Sequence, residues 1–208
     1  MPNVSKKYAD VGILYVRRIR VRQEMKNFRP LVFFFALFSV MGCVPECDNV
    51  PPKEYIAKNV DVLGDYWAQA TKSTRQDVTI KRSEDADFPY VININVFGGR
   101  DRQDFLFQLY KIGDLTLAFA KPQTPPNAEM AKQCFAMNLT VTKTQIAMDT
   151  MGNSFFIKNS FALRGVEQID KNRVKLHADP EQLAAFFKLH GKTKELFWPN
   201  ESLLLNRR

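Results

Sequence analysis

The chain has 208 residues, of which 45% are hydrophobic and 25% are charged, and its formal net charge is +8. This composition excludes a disordered, collagen-like or disulfide-dense chain, and the length suits one domain with processing segments. Eight of the 30 basic and two of the 22 acidic side chains fall within residues 1–42. The other 22 basic and 20 acidic groups give residues 43–208 a net charge of +2, so we predict no nucleic-acid partner.

Residues 25–42 have the layout of a secretory signal peptide. Lys26 and Arg29 precede an apolar run at 31–41, and the small residue Gly42 follows. A basic start, a short hydrophobic core and a small residue before the cut are typical of such peptides. The run is shorter than the roughly 20 apolar residues that a membrane-spanning helix needs.

Residues 1–24 lie upstream of this segment, where signal peptides rarely begin. They alternate apolar and basic side chains in part, as a cytosolic arm on an uncleaved anchor would. We prefer a simpler interpretation, in which Met25 is the true start and residues 1–24 are an upstream extension of the gene model.

Cys43 makes the processing signal more specific. The run Val40-Met41-Gly42-Cys43 resembles the lipobox of bacterial lipoproteins, whose cysteine receives diacylglycerol and becomes the mature N-terminus. The resemblance implies membrane attachment through lipid on Cys43, at about 0.8 kcal/mol per buried acyl methylene. Val44, in place of an Asp after the cysteine, implies the outer membrane. Inner-membrane anchoring and release into the periplasm are the alternatives.

The chain has three cysteines, Cys43, Cys47 and Cys134. With Cys43 lipidated, Cys47 and Cys134 are the pair available for a disulfide, which an oxidising periplasm permits. Two unpaired thiols are the alternative, because spacing in the sequence does not show proximity. Two histidines and no C-x-x-C do not make a zinc pattern, so we predict no metal site.

Residues 43–62 are predicted to be a lipidated tether, because Pro45, Pro51 and Pro52 favour an extended spacer. Residues 63–208 are predicted to form a β-rich domain. Its strand-length segments, separated by turn signals, are residues 66–68, 78–80, 92–96, 105–120, 135–141, 146–148, 155–158, 161–163 and 174–176.

The hairpin at 105–120 gives the clearest strand signal. Phe105, Phe107 and Leu109 alternate on one face, Gly113-Asp114 supplies a tight turn, and Phe119 is among the apolar residues that return at alternate positions. Short strands with one polar face predict an antiparallel meander, either a sandwich or a partly closed barrel.

One helix is predicted over residues 180–190. Asp179 is the N-cap, Pro180 fits the first helical position, and Gln182 completes a capping box. Gly191 is predicted to take the left-handed conformation that ends many helices. The apolar face of this helix should pack on the sheet, together with residues 196–198.

The order of lipobox, proline spacer, Gly64-Asp65-Tyr66-Trp67 opening, meander and late helix resembles a broad set of small bacterial lipoproteins without a firmly assigned activity. The opening is also similar to that of lipocalins, whose first strand begins Gly-x-Trp; here Trp67 stands one position later. A lipocalin-like carrier would hold a small apolar ligand in a cavity lined by Trp67, Phe105, Phe107 and Phe119, whereas the alternative is that these rings fill a solid core.

Catalytic chemistry finds little support in the sequence, which has no H-E-x-x-H, G-x-S-x-G or Walker pattern. His177 is predicted to be a solvated strand residue and His190 to face the carbonyls that end the helix. Glu84, Asp85 and Asp87 fit an exposed turn better than a calcium loop. We therefore predict a protein without enzymatic activity or cofactor.

These observations predict an envelope lipoprotein whose β-domain binds an envelope protein, a lipid or a glycan. The lipocalin-like carrier is the alternative function. An envelope hydrolase is a third class, and no residue spacing favours it.

Overall fold

Eight strands close into an antiparallel barrel in the computed structural model, which describes residues 45–69, 75–96, 101–125, 135–159, 164–171, 173–197 and 202–208. The strands among these residues are β1 (Glu46–Cys47), β2 (Gly64–Gln69), β3 (Arg75–Arg82), β4 (Tyr90–Val96), β5 (Asp101–Ile112), β6 (Leu115–Pro122), β7 (Phe135–Val141), β8 (Gln145–Thr150), β9 (Val166–Gln168), β10 (Val174–Leu176) and β11 (Leu203–Arg207). The α-helices among them are α1 (Asn153–Lys158) and α2 (Pro180–His190), and a 3-10 turn spans Lys53–Tyr55.

The barrel is a meander. Strands β2 to β8 follow one another around the wall in chain order, and β11 closes the barrel by pairing with both β8 and β2. The other three strands form a small sheet in which β1 lies parallel to β10 and β10 antiparallel to β9. The predicted fold class, an antiparallel β-meander with a helix near its C-terminal end, is confirmed.

Apolar side chains pack on both sides of the barrel wall. An interior layer fills the barrel and includes Tyr66, Val78, Ile80, Tyr90, Ile92, Phe107, Leu109, Ala118, Ala120, Leu139, Ile146, Met148 and Leu205. An outer layer joins β5–β7 to α1, α2 and the small sheet and includes Cys47, Tyr110, Ile112, Leu117, Phe119, Met151, Phe155, Phe156, Val174, Leu176, Leu183, Phe186, Phe187, Leu196 and Phe197. Because β6 serves both layers, its residues 117–120 are all buried and do not alternate with polar ones.

The hairpin register decides which layer each apolar residue joins. Ile112 pairs with Leu115 across the two-residue turn, so odd-numbered residues of β5 face even-numbered residues of β6. Phe107 therefore pairs with Ala120 and enters the interior layer, whereas Phe119 enters the outer layer. The two predicted apolar sets of the hairpin lie on opposite sides of the wall.

Helix α2 begins as the sequence predicts and ends differently. The Asp179 side chain accepts a hydrogen bond from the Gln182 backbone N–H, and the Gln182 side chain accepts one from the Asp179 N–H, completing the capping box. Gly191 is right-handed, with φ −61° and ψ −19°, so the predicted left-handed cap is wrong. The glycine is needed for space: a Cβ there would meet the Leu115 side chain and the carbonyl oxygen of Phe187.

Residues 155–158 form part of α1, so the predicted short strand is wrong. Phe155 and Phe156 are adjacent and both buried, a pattern that a strand with one solvent face does not give. Apolar runs this short do not distinguish strand from helix by periodicity. Residues 161–163 and Trp198, for which we predict a strand and a packing role, lie outside the described residues.

Residues 45–62 pack against the domain, in contrast to the predicted spacer. Glu46–Cys47 forms β1, Ala57 N–H donates to the Leu109 carbonyl at 2.9 Å, and Val62 is fully buried. The apolar side chains of this segment pack on both the outer and interior layers. The folded domain therefore begins at β1, with Glu46, instead of at residue 63.

Candidate functional site

The first described strand is held to the domain by a row of ion pairs. Arg173, Lys175 and His177 alternate from the residue before β10 to the residue after it, as predicted, and they face Glu46 and Asp48 on the β1 segment. Arg173 Nη2 lies 2.5 Å from Glu46 Oε1, and Lys175 Nζ and His177 Nδ1 lie 3.0 and 2.6 Å from the two Asp48 carboxylate oxygens. We call these five residues the ionic ladder; it fixes the start of the domain to β10.

His177 is therefore more than a solvated strand residue. Its Nε2 also lies 2.6 Å from Glu167 Oε2 on β9, so both ring nitrogens face carboxylates. A neutral imidazole has one N–H only, so the protonated ring alone can donate to both partners. The hydrogen bonds to Glu167 and Asp48 accordingly raise the pKa of His177 above its ordinary value. Burial tends to raise the pKa of Asp48, but Lys175 and His177 outweigh it and hold that pKa below its ordinary value.

Cys47 points away from the ladder into the outer layer, where its exposed fraction is 2%. It is disulfide-bonded. The two other cysteines, Cys43 and Cys134, lie outside the described residues, so both the lipidation of Cys43 and the pairing of Cys47 with Cys134 remain predictions. The predicted signal peptide also lies outside the described residues, and among those described no helix has the length and apolarity needed to cross a bilayer.

One end of the barrel is closed by a polar network over an aromatic ring. Arg207 lies across the Tyr66 ring, donates to the Tyr66 hydroxyl at 2.9 Å and pairs with Asp61 Oδ2 at 2.9 Å. The Tyr66 hydroxyl in turn donates to the carbonyl of Val62 at 2.9 Å. This closed end ties the segment before β2 to the last strand, β11.

The barrel is filled beside the closed end. Interior side chains there have exposed fractions of only 0–1%: Tyr66, Val78, Ile80, Leu109, Ile146 and Leu205. A void that held even one water would leave part of its lining accessible. The interior beside these residues is therefore core and offers no room for a ligand.

The opposite end of the barrel carries half-buried apolar side chains. Ile94, Phe105, Met137 and Leu203 pack on the interior layer yet remain partly accessible; we call them the apolar rim. They lie toward the ends of strands β4, β5, β7 and β11 that are farthest from Arg207.

The four aromatic residues predicted to line a ligand cavity do not share one surface. Phe107 is interior and 2% exposed, Phe105 belongs to the apolar rim, and Phe119 lies in the outer layer. Trp67 is on the outside of β2, where the Arg75 guanidinium stacks 4.2 Å from its ring. The ring that enters the barrel at this position is that of Trp67's neighbour Tyr66, which is 1% exposed.

The predicted acidic turn at Glu84–Asp87 is held by contacts that Asp85 makes within the chain. One Asp85 oxygen accepts the backbone N–H groups of Asp87 and Phe88 at 3.0 Å, and the other pairs with Lys121 at 3.3 Å. Within the described part of the chain, no group of three His, Cys, Asp or Glu is placed to hold a metal. His190 lies in the last turn of α2 with its ring against Phe155 and Phe186.

The chain matches no protein-family model, and neither curated proteins nor solved structures show a match to it. The functional assignment therefore depends on the residues and their arrangement.

Proposed function

We propose that this chain is an outer-membrane lipoprotein, anchored through lipid on Cys43, whose β-barrel domain is a binding module. The observation that carries the binding role is the set of apolar side chains that stay partly accessible at the rim of a barrel whose interior is filled beside Tyr66. The signal-peptide layout and the Val40–Cys43 pattern support the anchor.

The rim favours an apolar partner over a glycan. Its four side chains offer no hydrogen-bonding group, so they suit the apolar side chains of an envelope protein or the acyl chain of a lipid. A contact of this kind excludes water from the rim without entering the barrel. We assign the domain no catalytic step.

The anchor is tested by the intact mass of the protein recovered from membranes, beside a Cys43→Ala variant. We expect a chain that starts at Cys43 and carries acyl mass, and we expect the variant to lose that mass. A product that starts at Met1 or Met25 without lipid would contradict the anchor.

The binding role is tested with a photo-crosslinking residue placed in living cells at Leu203, with Lys81 as the matched control. Lys81 is exposed on the outer face of β3. We expect a discrete crosslinked product from position 203 and none from position 81. Equal crosslinking from both positions, or none from either, would count against a rim partner.

The lipocalin-like carrier is the second candidate function. Phe105 and Phe107 lie on the same face of β5, and the ring of Phe105 is partly accessible. A carrier predicts saturable, one-to-one binding of a fluorescent fatty acid that Phe105→Ala weakens at least tenfold. A binding module whose partner is an envelope protein predicts no saturation in the same titration.

A further inference from the structure

We propose that residues 169–171, the described part of the turn after β9, are the face of the anchored domain that contacts the bilayer. The partner is the headgroup and upper acyl region of a phospholipid membrane. This inference rests on the proposed lipidation of Cys43 and adds the orientation of the domain on the membrane.

The first step is the distance from the lipid to the domain. Pro45 is already buried and Glu46 begins β1, so only Val44 and Pro45 separate Cys43 from the first strand. An extended chain spans at most about 3.5 Å per residue, so three residue steps reach roughly 10 Å. A lipid on Cys43 therefore holds the start of β1 within about 10 Å of the membrane surface.

The second step is which part of the domain lies beside that start. β1 runs parallel to β10, with Glu46 opposite Lys175, so both strands begin at the same edge of the small sheet. The turn that leads into β10 is at that edge, and neighbouring strands are about 4.8 Å apart. The Glu46–Arg173 ion pair, at 2.5 Å, fixes the two strand starts to each other.

The third step is the chemistry of the turn. Ile169 is 40% exposed, and Lys171, two residues further on, is exposed too. The backbone N–H groups of Ile169 and Asp170 both donate to the Arg173 carbonyl, and Asp170 pairs with Arg173, so the turn is held in place. An apolar side chain beside a cation suits the boundary between lipid headgroups and acyl chains.

The orientation is tested by fluorescence quenching on lipidated protein in vesicles of phosphatidylethanolamine and phosphatidylglycerol that contain a spin-labelled lipid. A fluorophore is attached to Lys171→Cys or, as the matched control, to Lys81→Cys on the opposite wall of the barrel. We expect at least threefold stronger quenching at position 171. Equal quenching, or stronger quenching at position 81, would overturn the proposal.

The same samples separate this proposal from the proposed function. Intact mass reports whether acyl chains are present: unlipidated protein contradicts the anchor, whereas lipidated protein with equal quenching contradicts the orientation alone. If Lys171→Cys does not fold, Gln168→Cys, exposed at the end of β9, gives the same comparison. Adding Ile169→Asp should reduce quenching at position 171 at least twofold, and no change would remove Ile169 from the contact.

Discussion

The two apolar layers differ in which parts of the chain they join. The interior layer comes mainly from β2–β8 and β11, strands that are also hydrogen-bonded to their neighbours around the wall. The outer layer joins β1, α1, α2 and β10 to that wall. Side-chain packing, rather than backbone hydrogen bonds within one sheet, holds most of these elements there. The barrel and the small sheet should therefore respond differently when one layer is weakened.

The outer layer is also the more aromatic of the two. Phe119, Phe155, Phe156, Phe186 and Phe187 form a chain of ring contacts with centroids 5.3–6.1 Å apart. Most of these contacts are edge-to-face, the arrangement that aromatic pairs favour. A single large residue in this chain should thus govern how firmly the small sheet, and with it the ladder, stays on the barrel.

The largest effect is expected from Phe187→Ala, which removes a ring that is 1% exposed and contacts Phe119 and Phe186. The free energy of unfolding should fall by about 3–5 kcal/mol, the scale of a buried Phe truncated to Ala. Hydrogen exchange should speed up in α2, β9 and β10 more than in β2–β4.

Leu189→Ala, in the same helix but 77% exposed, is the control and should change stability by less than about 0.5 kcal/mol. If Phe187→Ala accelerates exchange equally in the barrel and the small sheet, the two layers form one cooperative unit and the contrast between them is wrong.

Gly191→Ala should cost about 1–3 kcal/mol, because the added Cβ overpacks the contact between α2 and β6 at Leu115. Gly113 is the matched control: its φ is +58° and nothing lies within 4 Å of an added Cβ. Asn tolerates that conformation, so Gly113→Asn should be milder than Gly191→Asn in thermal unfolding. The reverse order would show that Leu115 and its neighbours make room for a side chain at position 191, so that space does not require this glycine.

Tyr66→Phe tests how much the polar network at the closed end of the barrel stabilises the interior layer. It removes the hydroxyl that joins Arg207 to the Val62 carbonyl, and we expect a loss of about 1–2 kcal/mol in denaturant unfolding. Thr79→Val removes a hydrogen bond of similar length to Asp65 on the exposed face, and should cost less than about 0.5 kcal/mol. Equal losses would mean that the network over Tyr66 is no more important than a surface contact.

The smallest effect is expected from His177→Gln and is visible only as a pH dependence. Because its folded pKa is raised, His177 contributes stability that is fully present below its ordinary value of 6.5 and is lost as the pH rises through the folded pKa. The folded pKa of Asp48 is lowered. Asp48 therefore contributes stability that is fully present above its ordinary pKa of 3.8 and is lost as the pH falls through its folded pKa. The ladder is therefore complete between about pH 3.8 and 6.5.

The His177 ring is 40% exposed, so the total effect should stay within about 0.2–1 kcal/mol, and salt should reduce it. Urea unfolding at pH 6 and pH 8.5 gives the difference in free energy of unfolding between the two pH values. His177→Gln should remove this difference, and Glu167→Gln should remove part of it. An unchanged pH dependence in His177→Gln would show that the contacts with Asp48 and Glu167 do not form in solution.

Local sequence signals predicted the parts of the fold that depend on neighbours in the chain. The capping box of α2 and the turn at Gly113-Asp114 involve residues within a few positions of each other, and the structure has both. The alternation of Phe135, Met137, Leu139 and Val141 likewise predicted β7. Closure of the barrel by β11 was not predicted, because Leu203–Arg207 starts with three leucines and does not alternate, and its partners are far away in the sequence.

The candidate sites were harder to predict for the same reason. The role of Glu46 and Asp48 in the ionic ladder depends on their contacts with Arg173 and His177, which lie more than 120 residues away in the sequence. The predicted cavity residues failed to converge because register, set by one turn, divided Phe107 from Phe119. A strict count across that turn, pairing Ile112 with Leu115, would have separated the two rings from the sequence alone.

The position of β11 has a consequence for how the chain is synthesised and folds. Tyr66 and Arg207 are 141 residues apart. Almost the whole domain is therefore synthesised before β2 can pair with β11, its second neighbour in the barrel. Until then β2 and β8 both present unpaired backbone edges, which are templates for pairing with other chains. A nascent or truncated chain without residues 203–207 should therefore depend on a holding chaperone and aggregate when none is present.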